Sequence, residues 1–177
     1  MSYTEAMKNS TSALGKQHST AQQARPSASI EIRVQKRQAR FKRIRNPQGS
    51  DAGVGEFFFL IEITAISQVV YIPLSVASGK KPTGFVYQIE GTGEGTIATT
   101  DISCSGDKVT QVLLGTIAYC KIPAGKTATF RLLIEMRGEV GKEYSIVINR
   151  IHYKLDPSDA RYKRFEEAIR GSTLKFR

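Results

Sequence analysis

Residues 56–66 read EFFFLIEITAI and residues 127–137 read TATFRLLIEMR, two runs in which large apolar side chains recur at every second position. An extended chain turns alternate side chains to opposite faces, whereas a helix would scatter this pattern around its circumference. The first run therefore presents Phe57, Phe59, Ile61 and Ile63 on one face, with Phe58, Leu60, Glu62 and Thr64 on the other. The second presents Ala128, Phe130, Leu132, Ile134 and Met136 against Thr129, Arg131, Leu133 and Glu135. Phe57, Phe59, Ile61, Ile63, Phe130, Leu132 and Ile134 are the expected core.

The same period continues elsewhere. Ile30, Ile32 and Val34 alternate with Glu31, Arg33 and Gln35, but Ala39 and Phe41 have the opposite parity, so a bulge or break is expected at residues 36–38. Short strands are predicted at 69–74, where Pro73 limits pairing, and at 85–89, 96–104, 109–119 and 143–155. In the last of these Tyr144, Ile146 and Ile148 share one parity, and Ile151, Tyr153 and Leu155 the other. Turn signals separate the runs: residues 46–53 (NPQGSDAG), 79–84 (GKKPTG), Pro123-Ala124-Gly125-Lys126, and Gly138 with Gly141. Short strands at this spacing, with no helical period between them, predict an all-β antiparallel sandwich over residues 29–155.

The two ends differ from this middle. Residues 1–28 are rich in Ser, Thr, Ala and Gln and nearly devoid of large apolar side chains, which reads as a flexible N-terminal arm. In residues 156–177, Asp156 is placed as an N-cap and Pro157 at N1, with Tyr162, Phe165 and Ile169 at helical spacing before Gly171. That pattern predicts a short amphipathic helix and basic tail, with its apolar stripe docked on its own domain or on a partner.

The run FLIEITAISQVVYIPLSVAS, then CKIPAGKTATFRLLIEM, then GKEYSIVINRIHYKL resembles the immunoglobulin-like β-sandwich modules of bacterial surface and secreted proteins. The resemblance rests on the long apolar strand followed by Tyr71-Ile72-Pro73, the Pro123-x-Gly125 turn into 127–136, and the final strand from Gly141 to Tyr153. It implies a noncatalytic role in adhesion, spacing or surface assembly, and a cell-surface or secreted location. The start MSYTEAMKNS lacks the basic and apolar regions of a signal peptide, which favours a cytoplasmic location unless the chain begins after processing. No run approaches the roughly 18 apolar residues of a transmembrane helix.

Charge is distributed unevenly. Residues 1–50 carry 10 basic and 2 acidic side chains, residues 51–153 carry 9 and 10, and residues 154–177 carry 7 and 4, giving a net charge of +10. The densest stretch, Arg33, Lys36, Arg37, Arg40, Lys42, Arg43 and Arg45, is a candidate polyanion-binding site. The alternative is structural: cations along an outer strand discourage edge-to-edge pairing.

Catalytic signals are weak. His18 and His152 lie far apart in sequence, and Cys104 and Cys120 have no CxxC or Cys/His spacing, so no metal site or cofactor is expected. Gly91-Thr92-Gly93-Glu94-Gly95 lacks the full glycine fingerprint of a phosphate loop and reads as a hairpin connection. Cys104 and Cys120 flank residues 109–119 and form a candidate disulfide, or they remain two reduced, packed thiols. The leading expectation is a noncatalytic structural or binding module offering loops and an edge strand to a protein partner or to further copies. The alternative is a coat-like nucleic-acid-binding protein using the basic segment. A carbohydrate-binding reading would need exposed Tyr71, Tyr87, Tyr119 or Tyr153.

Overall fold

The computed structural model describes residues 29–45, 51–78 and 84–177, and the described residues contain strands but no helix. The strands are β1 (Ile30–Arg45), β2 (Asp51–Ala65), β3 (Val70–Pro73), β4 (Val76–Ser78), β5 (Phe85–Gly91), β6 (Gly95–Ser105), β7 (Thr110–Leu114), β8 (Ile117–Ile122), β9 (Thr127–Gly138), β10 (Glu143–Tyr153), β11 (Lys163–Phe165), β12 (Ile169–Arg170) and β13 (Leu174–Lys175). The fold is all-β, and every strand pair is antiparallel except β4 with β5.

One sheet runs β1-β2-β9-β6, a second runs β11-β10-β5-β4, and a third, smaller sheet runs β3-β8-β7. Alternation decides the core as expected: Phe57, Phe59, Ile61 and Ile63 of β2 and Phe130, Leu132 and Ile134 of β9 are all buried. They share one apolar cluster with Phe85, Tyr144, Ile146 and Ile148 from the second sheet. Across it the rings of Phe85 and Phe130 lie 5.2 Å apart.

Both changes of parity correspond to register shifts. β1 slips against β2 between Val34 and Lys36, one residue before the expected break, and carries Ala39 and Phe41 back to the core side. β10 slips against β5 between Ile148 and Arg150, which buries Ile151 and Tyr153 after Ile148.

Three expectations are corrected. Residues 109–119 are not one strand: Leu114 pairs with Ile117 around a two-residue turn, and Gly115, at φ +62°, takes the left-handed conformation that such a turn requires at its first central position. The stretch Gly91-Thr92-Gly93-Glu94-Gly95 is no hairpin, because β5 and β6 belong to different sheets and the segment crosses between them. It packs around Tyr144, whose hydroxyl accepts the Glu139 N–H at 2.9 Å and donates to the Glu94 carbonyl at 3.0 Å. At Gly138 a Cβ would stand 2.6 Å from the Tyr144 ring, so this tyrosine needs a bare backbone beside it.

The third correction concerns residues 156–177, which form no helix. Asp156 closes a turn instead of capping a helix: its Oδ1 accepts the backbone N–H of Ser158 at 2.8 Å and its hydroxyl at 2.7 Å. Lys154 pins the same turn, with its ammonium donating to the carbonyls of Pro157 and Asp159 and lying 4.6 Å from the Tyr162 ring centroid. The chain then runs antiparallel to β10 as β11, β12 and β13, and the register slips by one residue between β11 and β12 and again between β12 and β13. The tail is thus one interrupted edge strand, favoured over the helix because it occupies the backbone groups along one side of β10. Its apolar residues dock on their own domain: Ile169 and Phe176 are buried, and Phe165 and Leu174 pack against the core. The expected arm at 1–28 lies outside the described residues.

Candidate functional site

The basic stretch falls on β1, which is a terminal strand of its sheet among the described residues. Register with β2 divides it between faces. Lys36 sits opposite Leu60, Arg40 opposite Glu56 and Lys42 opposite Val54, on the face turned away from the core, as is Arg33 opposite Glu62. Arg37 pairs with Phe59 on the other parity and is exposed. Arg43 and Arg45 pair with Gly53 and Asp51, and their side chains lie outside the described residues.

On the outer face this register places acids beside the cations. Glu56 is only 5% exposed although it points away from the core, because Arg40 and Lys42 fold over it, Lys42 at 3.7 Å. Gln35 donates to Glu62 at 2.6 Å, and Thr99 donates to Glu135 at 2.8 Å. A cleft of about 420 Å³ opens here, lined by Lys36, Arg40, Glu56, Phe58, Asp101 and Arg131 among others. The Arg131 guanidinium stands 5.9 Å from the Phe58 ring centroid. Glu56, Phe58, Asp101 and Arg131 were not singled out from the sequence. The available signal was that residues 57–61 are apolar on both parities, so Phe58 and Leu60 fall on a face that a simple half-buried strand would make polar.

The β7–β8 hairpin differs in kind. β7, sequence TQVLL, is the outer strand of the third sheet and contains neither a charge nor a proline. Leu113 is 71% exposed, and Leu114 and Ile117 at the turn are 37% and 41% exposed. Sheet edges are ordinarily blunted by lysine, proline, bulges or a covering segment, and β7 has no such charge or proline.

Cys104 on β6 and Cys120 on β8 come from different sheets, and both are free cysteines, Cys104 half-buried and Cys120 buried. Interaction with Cys120 lowers the Cys104 pKa against the opposing effect of burial. The Cys120 thiol is pushed up by the same interaction, by burial and by the neighbouring sulfur's charge.

The tyrosines considered for sugar binding are placed otherwise. Tyr87, Tyr119 and Tyr153 are buried, and Tyr71 is half-buried beneath Lys121. The Tyr119 hydroxyl meets that of Tyr162 at 2.9 Å. His152 is buried edge-on to Tyr162, with 5.9 Å between centroids, and His18 lies outside the described residues. Among the described residues no group of three or more His, Cys, Asp or Glu side chains is arranged to hold a metal ion, and no helix is long and apolar enough to cross a membrane.

The chain matches no protein-family model, no curated protein and no solved structure.

Proposed function

We propose that this chain is a noncatalytic structural and binding module whose β7–β8 hairpin docks a protein partner or another copy within an assembly. The observation that carries this reading is the contrast between two sheet edges. β1 bears Arg33, Lys36, Arg37, Arg40 and Lys42, whereas β7 is uncharged and ends in exposed Leu113 and Leu114, with exposed Ile117 of β8 across the turn. A cationic edge repels a second cationic edge, while an uncharged apolar one accepts an added strand through main-chain hydrogen bonds. The immunoglobulin-like character and the bacterial surface setting rest on the sequence resemblance.

The interleaved acids weaken the polyanion reading of β1. Arg40 and Lys42 are committed to Glu56, and Asp101 and Glu135 share the outer face with Arg131. One observation still favours nucleic acid as the second reading: among the described residues Arg33, Lys36 and Arg37 have no ion-pair partner within 4.0 Å.

The test is size-exclusion chromatography with light scattering, with absorbance read at 260 and 280 nm, on protein isolated from its source. The wild type should elute as an oligomer or a protein complex without excess absorbance at 260 nm, and Leu113→Lys should release a folded monomer. A monomeric wild type, or an assembly indifferent to Leu113→Lys, refutes the hairpin as the docking edge. A complex rich in 260 nm absorbance promotes the nucleic-acid reading.

A further inference from the structure

We infer, resting on the β7–β8 docking edge proposed above, that its occupant is a second copy of this chain, with β7 paired antiparallel to its own copy about a two-fold axis at Val112. Among the described residues the three sheets have six ends, and five of them are blunted in ways that stop strand addition. β1 carries Arg33, Lys36 and Arg37, while β6 is broken by the register shift between Ile97 and Thr99 and bears Asp101. β4 is only three residues long. β3 ends in Pro73, and its outer side is taken by main-chain bonds between Tyr71 and Lys154. The tail along β10 is interrupted by two register slips and presents Lys163, Arg164, Arg170 and Lys175. Only β7 is left, so each copy offers one strand-accepting edge. One such edge per chain cannot propagate a fibre and closes instead on a two-fold pair.

The backbone of β7 is already arranged for this pairing. The Ala118 carbonyl of β8 accepts the Leu74 N–H at 2.7 Å, so Ala118 turns its main-chain groups toward the β3 side. Leu113, opposite Ala118, therefore belongs to a non-hydrogen-bonded pair and points its own N–H and C=O outward. Gln111, opposite Cys120, does the same, while Val112 between them faces β8. Two donors and two acceptors thus stand evenly on either side of Val112. A two-fold axis there sets Gln111 of each copy against Leu113 of the other, and each of these two pairs exchanges both of its main-chain hydrogen bonds. Selecting a foreign strand would call for charges or side-chain pockets, which this uncharged edge lacks, whereas its own copy matches it by symmetry alone. Leu113, 71% exposed in the single chain, then lies diagonally across from Leu113 of the second copy. One continuous sheet, β3-β8-β7-β7-β8-β3, runs through both copies.

The test uses the purified full chain alone, with light scattering over a dilution series and amide hydrogen exchange. Wild type should be a dimer that dissociates on dilution, and the Gln111 and Leu113 amides should exchange at least about tenfold more slowly in the dimer than in the monomer. That comparison needs no variant to fold. Leu113→Pro removes an outward N–H and no bond to β8, so it should give a monomer with wild-type circular dichroism. A monomeric wild type, an open series of larger oligomers, or a dimer whose Gln111 and Leu113 amides stay unprotected overturns the inference. A monomeric pure chain whose complex from the source is still broken by Leu113→Lys keeps the docking edge and gives it to a foreign protein. A dimer indifferent to both substitutions removes the edge itself.

Discussion

Phe41 and Phe176 meet edge to face with their ring centroids 5.5 Å apart, joining the first described strand to the C-terminal tail. Phe176 also contacts Tyr144 at 5.0 Å, and a Cβ on Gly55 would come within 2.7 Å of its ring. The tail therefore contributes to the core. Phe176→Ala should destabilise by about 3–5 kcal/mol, the usual range for a buried phenylalanine. In a double-mutant cycle with Phe41→Ala the aromatic pair should show a coupling of about 0.5–1.5 kcal/mol. Denaturant melts check both numbers, and a loss under about 1 kcal/mol for Phe176→Ala would show that the tail is dispensable.

The choice of face on β2 and β9 is testable with two phenylalanines. Phe130 is fully buried against Phe85, while Phe58 lies on the outer face beside Arg131. Phe130→Ala should cost about 3–5 kcal/mol and Phe58→Ala about 1 kcal/mol or less. Equal losses in urea titrations would contradict the alternation.

Stability should fall in strong alkali because of Tyr162. Burial first, then the hydrogen bond and charge of Tyr119, push its pKa from 10.0 up to about 12. Raising the folded pKa favours the protonated phenol, so its contribution is fully present below pH 10 and is lost as the pH rises through about 12. Thermal melts across that window should show a steeper decline for wild type than for Tyr162→Phe. Parallel curves would remove Tyr162 as the cause.

Replacing Arg33, Lys36 and Arg37 together by glutamine should leave the protein folded but prone to additional self-association through β1, because that edge loses its repulsion. Fluorescence anisotropy with single- and double-stranded oligonucleotides should show no retained wild-type binding at about 150 mM salt. Micromolar binding there, with a log-affinity against log-salt slope that flattens in the triple variant, would instead make β1 a phosphate-binding strand.

Much of the core was legible because period two is a local signal: Phe59 and Leu132 announce their face through their immediate neighbours, and both proved buried. The parity change near Lys36 was readable as a displaced register, whereas after Ile148 only the change of face was legible and its register shift emerges from pairing with β5. What escaped the sequence was set by pairing between distant segments. Tyr162, Phe165 and Ile169 keep helical spacing, yet the open side of β10 drew that stretch into a strand, and nothing local to residues 156–177 reveals a vacancy on residues 143–153. The burial of Glu56 was hidden for the same reason, since it follows from Arg40 and Lys42 arriving across the β1–β2 hairpin. The Gly115-Thr116 turn was a local signal of the kind that marks other turns in this chain, overlooked inside an apolar run.

The order β1-β2-β9-β6 also has a kinetic cost. β1 and β2 are neighbours in sequence and can zip at once, but the other side of β2 waits for β9, which begins only at Thr127. During that interval the segment FFFLIEITA presents an unsatisfied ladder and an uncovered row of phenylalanine and isoleucine, the composition that seeds intermolecular β-aggregates. The cations of β1 are the residues nearest to that segment throughout the wait, so they serve as gatekeepers of the nascent hairpin before they guard any finished edge.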